Sequence, residues 1–308
     1  MKKWGLYGIN GLLNVLKPPG MTSFDVVAYL RGILKEKKIG HAGTLDPCAA
    51  GVLPVCLGKA TKVIEYIMDM EKVYRAELSL GISTDTQDST GNIIAKKEVN
   101  VSAEDIFRVV KEFTGEIYQI PPMYSAVRVG GRRLYEIARE GKSVERNPRK
   151  IFIRSIEIIN ICKNKVLMDV TCSKGTYIRT LCSDIGDRLG CGGHMSFLIR
   201  KRTGIFDIES AYTLEEILSA SNSGKIQEIT LNTDKLFENL DNIHLSNKET
   251  GRFLNGGFIP VNRLNQGNFL LKENLLFRVY NEENIFLGLG RIIKEKGLYY
   301  IKPDKLFC

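Results

Sequence analysis

The sequence predicts an α+β protein with a larger first domain and a smaller, β-rich second domain. Three observations support this prediction. Alternating strand patterns and capped amphipathic helices follow one another in the first part of the chain, apolar density falls around 221–240, and short strands separated by turns follow. Because 308 residues are enough for two cores, we expect domains over 1–235 and 240–308.

The first elements are predicted from periodicity and caps. A helix is expected over 22–37, because apolar residues recur every 3.6 positions behind a Thr-Ser cap. Residues 72–80 alternate as a strand, with Tyr74 on the apolar face. A second helix is expected over 102–115, from a serine cap to a glycine.

The stretch 120–150 differs from its surroundings, because it loses clear periodicity and becomes rich in glycine and arginine. Eight basic and three acidic residues occur within 128–150. We interpret the stretch as a mobile basic arm that carries a short helix near 134–140.

Beyond the arm, paired strands are predicted over 151–161 and 165–172. A turn at Gly175 then leads into a helix that Gly190 ends. The segment 221–240 is a candidate linker, since asparagine, serine and aspartate become frequent there.

Charge and composition narrow the possible partners. The net charge of +9 favours an anionic partner, although a generally basic proteome is an alternative explanation, and charge alone does not separate nucleic acid from an anionic membrane surface. No apolar run approaches the ~20 residues that span a bilayer, so no membrane partner is expected.

The cysteine pattern indicates free thiols. Seven cysteines are dispersed without a C-x-x-C pair, and only three histidines are present, so a zinc site is not expected. Unpaired thiols fit a reducing cytosol, which predicts a cytoplasmic protein. No cofactor-binding motif occurs in the sequence.

The segment 40–62, GHAGTLDPCAAGVLPVCLGKATK, contains Asp46 as its only acidic residue, among glycines and two prolines. Glycine permits positive φ and proline restricts φ, so this composition favours a tightly turned backbone. A lone carboxylate in such a turn is costly to desolvate unless it has a partner or a function. The plainer interpretation is that Asp46 caps a turn ahead of Pro47.

Six blocks resemble, in the same order, the pseudouridine synthases, and in particular the bacterial tRNA pseudouridine-55 synthases of the TruB type. They cover about residues 10–210. The blocks are KPPGMTSFDVV (17–27), GHAGTLDPCAAGVLPVCLGKATK (40–62), KVYRAEL (72–78), IPPMYSAVRVGGRRLYEIAREG (120–141), CSKGTYIRTLCSDIG (172–186) and HMSFLIRKRTGIF (194–206).

The resemblance implies roles for individual residues. Asp46 matches the nucleophile, and Tyr74 and Arg179 match its catalytic neighbours. The residues implied to contact the substrate are His41, Tyr74, Tyr177 and Leu198. The implied RNA-binding residues of the arm are Arg128, Arg132, Arg133, Arg139, Arg146 and Arg149.

Several of these residues also have a plainer interpretation. Tyr74 could be a core residue, since it lies on the apolar face of its strand. Arg179 could be solvated in the first turn of its helix, and a lone histidine such as His41 is more often structural. The family usually has L-R-R-T where this chain has LIRKRT (198–203), which leaves the roles of individual arginines in that block open.

The resemblance further implies a catalytic domain with a mixed, largely antiparallel sheet and a C-terminal RNA-binding domain of the PUA type. The expected reaction converts uridine 55 in the tRNA T-loop to pseudouridine after base flipping, with no metal and no cofactor. The expected partner is the T-arm stem-loop, and the chain is expected to be a monomer without an obligate protein partner. Two alternatives stay open: a synthase acting on another RNA or guided by a small RNA, and a non-catalytic tRNA-folding protein.

Overall fold

Two large β-sheets organise the chain. The structure is a computed structural model that describes residues 9–261 and 272–307. In chain order the strands are β1 (Gly11–Lys17), β2 (Ile39–His41), β3 (Ala50–Leu57), β4 (Lys72–Leu80), β5 (Ile82–Thr84), β6 (Ile93–Lys96), β7 (Gly115–Gln119), β8 (Arg128–Val129), β9 (Arg132–Arg133), β10 (Arg149–Cys162), β11 (Lys165–Cys172), β12 (Gly193–Thr203), β13 (Phe206–Asp207), β14 (Asn242–Leu245), β15 (Ile259–Pro260), β16 (Leu276–Asn281), β17 (Phe286–Glu295) and β18 (Leu298–Leu306).

Helices connect the strands and cover the sheets. The α-helices are α1 (Ser23–Leu34), α2 (Ile64–Asp69), α3 (Ala103–Glu112), α4 (Leu134–Arg139), α5 (Ile178–Arg188), α6 (Leu214–Asn222) and α7 (Asn247–Leu254). Short 3-10 helices occur at Gly58–Val63, Ile208–Ser210, Ile226–Ile229 and Thr233–Phe237. No helix of the described residues is long and apolar enough to cross a membrane.

The larger sheet is mixed and largely antiparallel, which confirms the predicted fold class. Its strand order is β1-β3-β12-β4-β11-β10-β7, with β2 pairing with β3 and β13 with β12. Within the described residues, β12 and β3 form its one parallel pair, and the other neighbours are antiparallel. Sequence-distant strands are therefore brought side by side in the middle of the sheet, where β3, β12 and β4 meet.

Two apolar clusters pack helices onto this sheet. Helices α3 and α5 pack against β4, β10 and β11 through buried residues such as Val109 and Leu181. Helices α1 and α6 pack against β1 and β3 through Val26, Leu30 and Ile217. The apolar periodicity that predicted α1 and α5 is thus the periodicity that is buried.

Helix boundaries were less accurately predicted than helix positions. Helix α1 ends at Leu34 rather than at residue 37, because Lys35 adopts the left-handed conformation, with φ of 53°. Helix α3 ends at Glu112, and Gly115 starts β7 instead of ending the helix. In the arm, the short helix predicted near 134–140 is present as α4, after the small hairpin of β8 and β9.

The prediction of a linker over 221–240 is wrong for most of that segment, because it is packed. Backbone hydrogen bonds of 2.8 Å in both directions join Leu231 to Leu12 of β1. Ile226 is buried against the α1 cluster, and Phe237 is buried between the two sheets. Because the segment packs against elements on both sides of it in the chain, its packing does not locate a domain boundary. The division into domains 1–235 and 240–308 stays a prediction.

The second sheet confirms the predicted β-rich C-terminal region. Its order is β14-β16-β17-β18-β15, with β14 and β16 parallel and the other pairs antiparallel. Phe237 links it to the first sheet, with its ring 5.2 Å from Tyr66, 6.3 Å from Phe286 and 6.0 Å from Phe307. These aromatic contacts hold the second sheet against α2 and β3.

Phe237→Ala should destabilise the protein by about 3–5 kcal/mol, because truncation of a buried phenylalanine leaves a cavity. Urea unfolding followed by circular dichroism would measure the loss. The matched control is Phe107→Ala, whose ring is 55% exposed on α3, with an expected change of about 0.5 kcal/mol or less. Equal changes in the two variants would contradict a packing role for Phe237.

Candidate active site

A buried lysine fixes the loop that carries Asp46 through hydrogen bonds. It connects β2 to β3, and Lys17 at the end of β1 donates hydrogen bonds from Nζ to the carbonyls of Pro18 (2.9 Å), Pro47 (3.3 Å) and Ala49 (2.5 Å). Lys17 is fully buried, and burial lowers its pKa to about 8. The sequence analysis missed this residue, although it starts the first resembling block.

The other side of the loop is fastened to the start of α1. Ser23 Oγ accepts a hydrogen bond from the backbone N–H of Leu45 (2.9 Å) and lies 3.3 Å from its carbonyl oxygen. The backbone N–H of Ala49 donates to the carbonyl of Asp46 at 3.0 Å, which closes a turn. Asp46 therefore sits at the tip of a turn that is fixed at both ends, with its side chain 32% exposed.

The structure brings Asp46 and Arg179 together. Arg179 Nη2 lies 3.5 Å from Asp46 Oδ1, and Arg179 Nη1 lies 3.7 Å from Asp88 Oδ2. Arg179 Nη2 also donates to the backbone carbonyl of Tyr124, at 2.5 Å. Although Arg179 lies in the first turn of α5, it is buried rather than solvated, because these three oxygens surround it.

Asp88 is a site residue that the sequence analysis missed. It lies in the loop between β5 and β6, and its Oδ1 accepts hydrogen bonds from Thr86 Oγ1 (2.8 Å), Thr90 Oγ1 (2.6 Å) and the Thr90 backbone N–H (2.9 Å). Its Oδ2 therefore faces Arg179. The only signal in the sequence was the density of Asp and Thr in GISTDTQDSTGN, which is typical of side-chain-capped turns.

Electrostatics at Asp46 act in two directions. Burial raises the pKa of Asp46 above its ordinary value, and Arg179 opposes this by favouring the ionised form. Asp88 also raises the pKa of Asp46, as burial does, whereas Lys17 lowers it, as Arg179 does. Because Arg179 is shared between two carboxylates, it only partly offsets the desolvation of Asp46.

Tyr74 and Leu198 form the apolar wall beside the loop. Tyr74 lies on the central strand β4, half-buried, and packs against a cluster that includes Leu45 and Leu198. In the ladder, Leu198 of β12 is opposite Ala76 of β4. Burial raises the pKa of Tyr74, so its phenol is protonated at neutral pH.

Tyr177 is positioned through its backbone. Its N–H donates to Gln119 Oε1 (2.8 Å), and its carbonyl accepts from Gln119 Nε2 (3.0 Å). Its ring centre lies 6.0 Å from Arg179 Cζ. Gln119 at the end of β7 thus connects the base of the arm to the start of α5.

His41 lies at the end of β2, half-buried, and does not pair with Asp46 within the described residues. Burial and the nearby Arg200 lower its pKa, so the imidazole is neutral at pH 7. Its Nδ1 is buried without a hydrogen-bond partner among those residues. Only the part of the ring that is not buried is accessible to a group outside the chain.

The six arm arginines do not form ion pairs with Asp46 or Asp88 in the described chain, and they differ in their own contacts. Arg132 pairs with Glu140, and Arg133 and Arg139 flank Tyr135 at 5.8 and 5.5 Å. Arg146 donates to the carbonyl of Pro121 at 3.1 Å. The cavity of about 140 Å³ at the base of the arm is lined by Arg128, Arg146 and Arg149, with Glu145 as the acidic member of its lining.

The chain matches family models along most of its length. Residues 31–178 match the N-terminal domain of the TruB family pseudouridylate synthases, 179–241 match the C-terminal domain of tRNA pseudouridylate synthase B, and 242–307 match the C-terminal model of pseudouridine synthase II TruB. The chain belongs to the TruB family of pseudouridine synthases. It is therefore an isomerase of the pseudouridine synthase class, and no cluster of three or more potential metal ligands occurs in its described residues.

Bacterial relatives are similar over most of the chain. The tRNA pseudouridine synthase B of Alkaliphilus oremlandii is 50% identical over 256 residues, which cover 83% of this chain and 85% of the relative. The tRNA pseudouridine synthase B of Clostridioides difficile is 44% identical over 302 residues, which cover 97% of this chain and all of the relative.

Solved structures with the same fold come from larger assemblies. A chain of the Cbf5-Nop10-Gar1 complex has a TM-score of 0.72 and 30% identity, over 97% of this TruB family chain and 85% of that chain. A chain of an H/ACA RNP bound to a substrate RNA containing 2'-deoxyuridine has a TM-score of 0.71 and 29% identity, with the same coverage.

The rate of pseudouridine formation should fall on acidification at a pH above 3.8, the ordinary pKa of an aspartate, because the ionised carboxylate is the expected reactive form of Asp46 and burial raises its pKa. A raised native pKa also means that protonating Asp46 removes no folding stability, so the fall should precede unfolding. Single-turnover rates and circular dichroism between pH 4 and 8 would check this. A rate that declines only together with the unfolding signal would contradict it.

Proposed function

We propose that this protein converts uridine to pseudouridine at position 55, in the T-loop of tRNA, with Asp46 as the nucleophile. The observation that carries the proposal is the contact between Asp46 and the buried Arg179 at 3.5 Å, beside the wall formed by Tyr74 and Leu198. A partly exposed carboxylate beside an arginine and an apolar wall suits a flat, uncharged base that must be brought to a nucleophile.

The choice of substrate is supported by the relatives and by charge. The curated relatives are named tRNA pseudouridine synthase B, and they cover nearly the whole chain. The net charge of +9 and the basic arm suit a polyanion. The arm favours a stand-alone enzyme over one guided by a separate RNA, because the chain itself supplies an RNA-contacting element.

The reaction exchanges one bond of the ribose for another. The C1′–N1 bond breaks, the base turns, C1′–C5 forms, and the proton on C5 leaves while N1 gains one. Asp46 acts as the covalent or electrostatic centre, by adding at C6 of the base or by assisting cleavage at C1′. Arg179 orients the carboxylate and favours its ionised form.

Tyr74 and Tyr177 hold the base during this exchange. Tyr74 provides an aromatic face and, as a neutral phenol, an oxygen that can accept a hydrogen bond near C5; removal of the C5 proton by this group would require the phenolate, which its raised pKa disfavours. Leu198 supplies apolar contact on the same side of the sheet. Water is excluded by the aromatic and aliphatic groups, which strengthens the interaction between Asp46 and the reacting atoms.

A uridine in a folded loop must leave its stack before Asp46 can reach it, which costs a few kcal/mol. His41, neutral and only half-buried, is suited to occupy the vacated position. The arm arginines neutralise phosphates around the loop, and the 2′-hydroxyl distinguishes RNA from DNA. The second sheet is proposed to act as a PUA-type RNA-binding domain, and the protein to act as a cytoplasmic monomer.

An unmodified tRNA transcript incubated with the purified protein should acquire pseudouridine at position 55. Carbodiimide treatment and primer extension would map the modified base. Asp46→Asn, which preserves shape but removes the charge, should reduce the rate by more than about a thousandfold, because a covalent nucleophile is lost. A transcript with cytidine at position 55 is the matched substrate control.

Each outcome of this experiment discriminates among hypotheses. Modification at another uridine would show that position 55 is not the target, whereas the proposed conversion of uridine to pseudouridine would still hold. Tight, salt-dependent binding without modification would favour a tRNA-folding protein. Full activity of Asp46→Asn would remove Asp46 from the mechanism.

Arg128→Gln and Arg149→Gln should each weaken tRNA binding and reduce the slope of log K against log salt by about 1, because each arginine releases about one counterion. Neither side chain has an ion pair or a hydrogen bond within the described residues, so each is available to a phosphate. The control is Arg188→Gln on α5, where Arg188 pairs with Glu112 at 2.8 Å. Equal slopes in all three variants would contradict a phosphate contact in the arm.

A further inference from the structure

We propose that Arg200 is a positioning residue, which holds the Asp46 loop and the Tyr74 side chain in one reactive geometry. The inference rests on the proposed function, since it concerns the same site. It also identifies which basic residue of the shifted LIRKRT block serves the active site.

Arg200 fastens the Asp46 loop through carbonyls different from those that Lys17 contacts. Its Nε donates to the carbonyl of Val52 at 2.7 Å, and its Nη2 donates to the carbonyl of Gly43 at 3.0 Å. The two carbonyls lie on either side of Asp46 in the chain. One planar guanidinium therefore spans both ends of the catalytic turn, and with 1% exposure it has no competing water.

The backbone is shaped to bring Arg200 this close. Arg200 is paired with Gly51 in the parallel ladder of β12 and β3. Gly51 has φ of +111°, and a Cβ there would lie 2.3 Å from the Arg200 carbonyl oxygen. Gly43 has φ of +95°, and a Cβ there would lie 3.3 Å from Arg200 Nη1. Gly51 thus permits the close approach of the β3 and β12 backbones, and Gly43 leaves room for the Arg200 guanidinium.

The same side chain reaches the aromatic wall. Arg200 is paired with Tyr74 in the antiparallel ladder of β12 and β4, and its positive charge partly opposes the rise in the Tyr74 pKa that burial causes. Since β12 lies between β3 and β4, Arg200 is the residue at which the nucleophile loop and the aromatic wall share a partner.

The other two basic residues of the block make different contacts. Lys201 pairs with Asp169 at 3.0 Å, on the face of the sheet where Arg75 also meets Asp169. Arg202 is exposed and lies 3.6 Å from Glu71. Neither contacts the Asp46 loop among the described residues, so burial and hydrogen bonding single out Arg200.

A general structural role is the competing explanation, and Lys72 provides a control for it. Lys72 is also a buried cation of this sheet, and its Nζ donates to the carbonyls of Met68 and Met70 at the end of α2. Lys72→Gln therefore removes a buried cation from backbone carbonyls outside the site. Arg202→Gln is the surface control.

The test compares Arg200→Lys and Arg200→Gln with these controls, by single-turnover rate at saturating tRNA, tRNA affinity and thermal unfolding. Both Arg200 variants should react about 100-fold more slowly, because a displaced nucleophile loses reactive geometry. Their tRNA affinity should stay within about threefold of wild type, because ground-state binding is not removed. Lys72→Gln should unfold at lower temperature but keep its rate within about threefold.

Two further readouts keep the inference falsifiable. In a Tyr74→Phe background, Arg200→Lys should slow the single-turnover reaction by a smaller factor than it does in wild type, because part of its effect depends on the Tyr74 phenol. Amide hydrogen exchange of residues 42–50 should be faster in Arg200→Lys than in wild type and unchanged in Lys72→Gln, whether or not the protein modifies tRNA.

The results separate this inference from the proposed function. If wild type modifies no tRNA, the proposed function fails, and hydrogen exchange alone decides whether Arg200 holds the loop. A wild-type rate in Arg200→Lys would overturn the inference, because a positive charge without the planar guanidinium would then be enough to hold the loop. Equal rate losses in Arg200→Gln and Lys72→Gln would also overturn it, because general destabilisation would explain both.

Discussion

The site depends on one buried guanidinium that has more N–H donors than the described residues satisfy. Arg179 faces Asp46, Asp88 and the Tyr124 carbonyl, and its Nε is buried without a partner in the described residues. Leaving a charged donor partly unsatisfied costs stability, and such costs are concentrated at functional sites. Asp88 is fixed by two threonines and Tyr124 by the arm, so Asp46 is the acceptor whose surroundings remain open to a substrate. The pairing of Asp46 is therefore an adjustable contact, set between a rigid loop and the base of the arm.

Buried cations bound to backbone carbonyls are the second constraint. Lys17, Lys72 and Arg200 are buried, and each donates to at least two carbonyl oxygens. Carbonyl dipoles stabilise these charges without a carboxylate, so Asp46 and Asp88 remain the acidic groups that surround Arg179. Burial lowers the pKa of Lys17 and of Lys72 to about 8, which is the expected direction for a desolvated ammonium group. The turned, glycine-containing backbone around Asp46 thus supplies both the loop shape and carbonyls that stabilise the charges of Lys17 and Arg200.

The arm and the C-terminal sheet are attached to the catalytic sheet in different ways. Polar contacts join the arm and its base to the site, through Tyr124 and Gln119, and such contacts can rearrange when an anion binds. Apolar packing joins the second sheet through Phe237 and Phe307, which favours a fixed orientation. The arm and the second sheet are therefore attached to the same catalytic sheet by polar and by apolar contacts, respectively.

The sequence by itself determined the fold class, the helices α1 and α5, the short helix of the arm and the family, because periodicity, caps and contiguous blocks are local properties of the chain. It also identified Asp46, Tyr74 and Arg179 through resemblance, and their catalytic roles stay predictions. Only the tertiary structure decided that Arg179 is buried beside Asp46, that Asp88 shares it, that Arg200 rather than Lys201 or Arg202 reaches the loop, and that 221–240 is packed. These facts depend on which strands become neighbours. Residues 46, 88, 179 and 200 are far apart in the chain, and the order β3-β12-β4 and the packing of α5 bring them together.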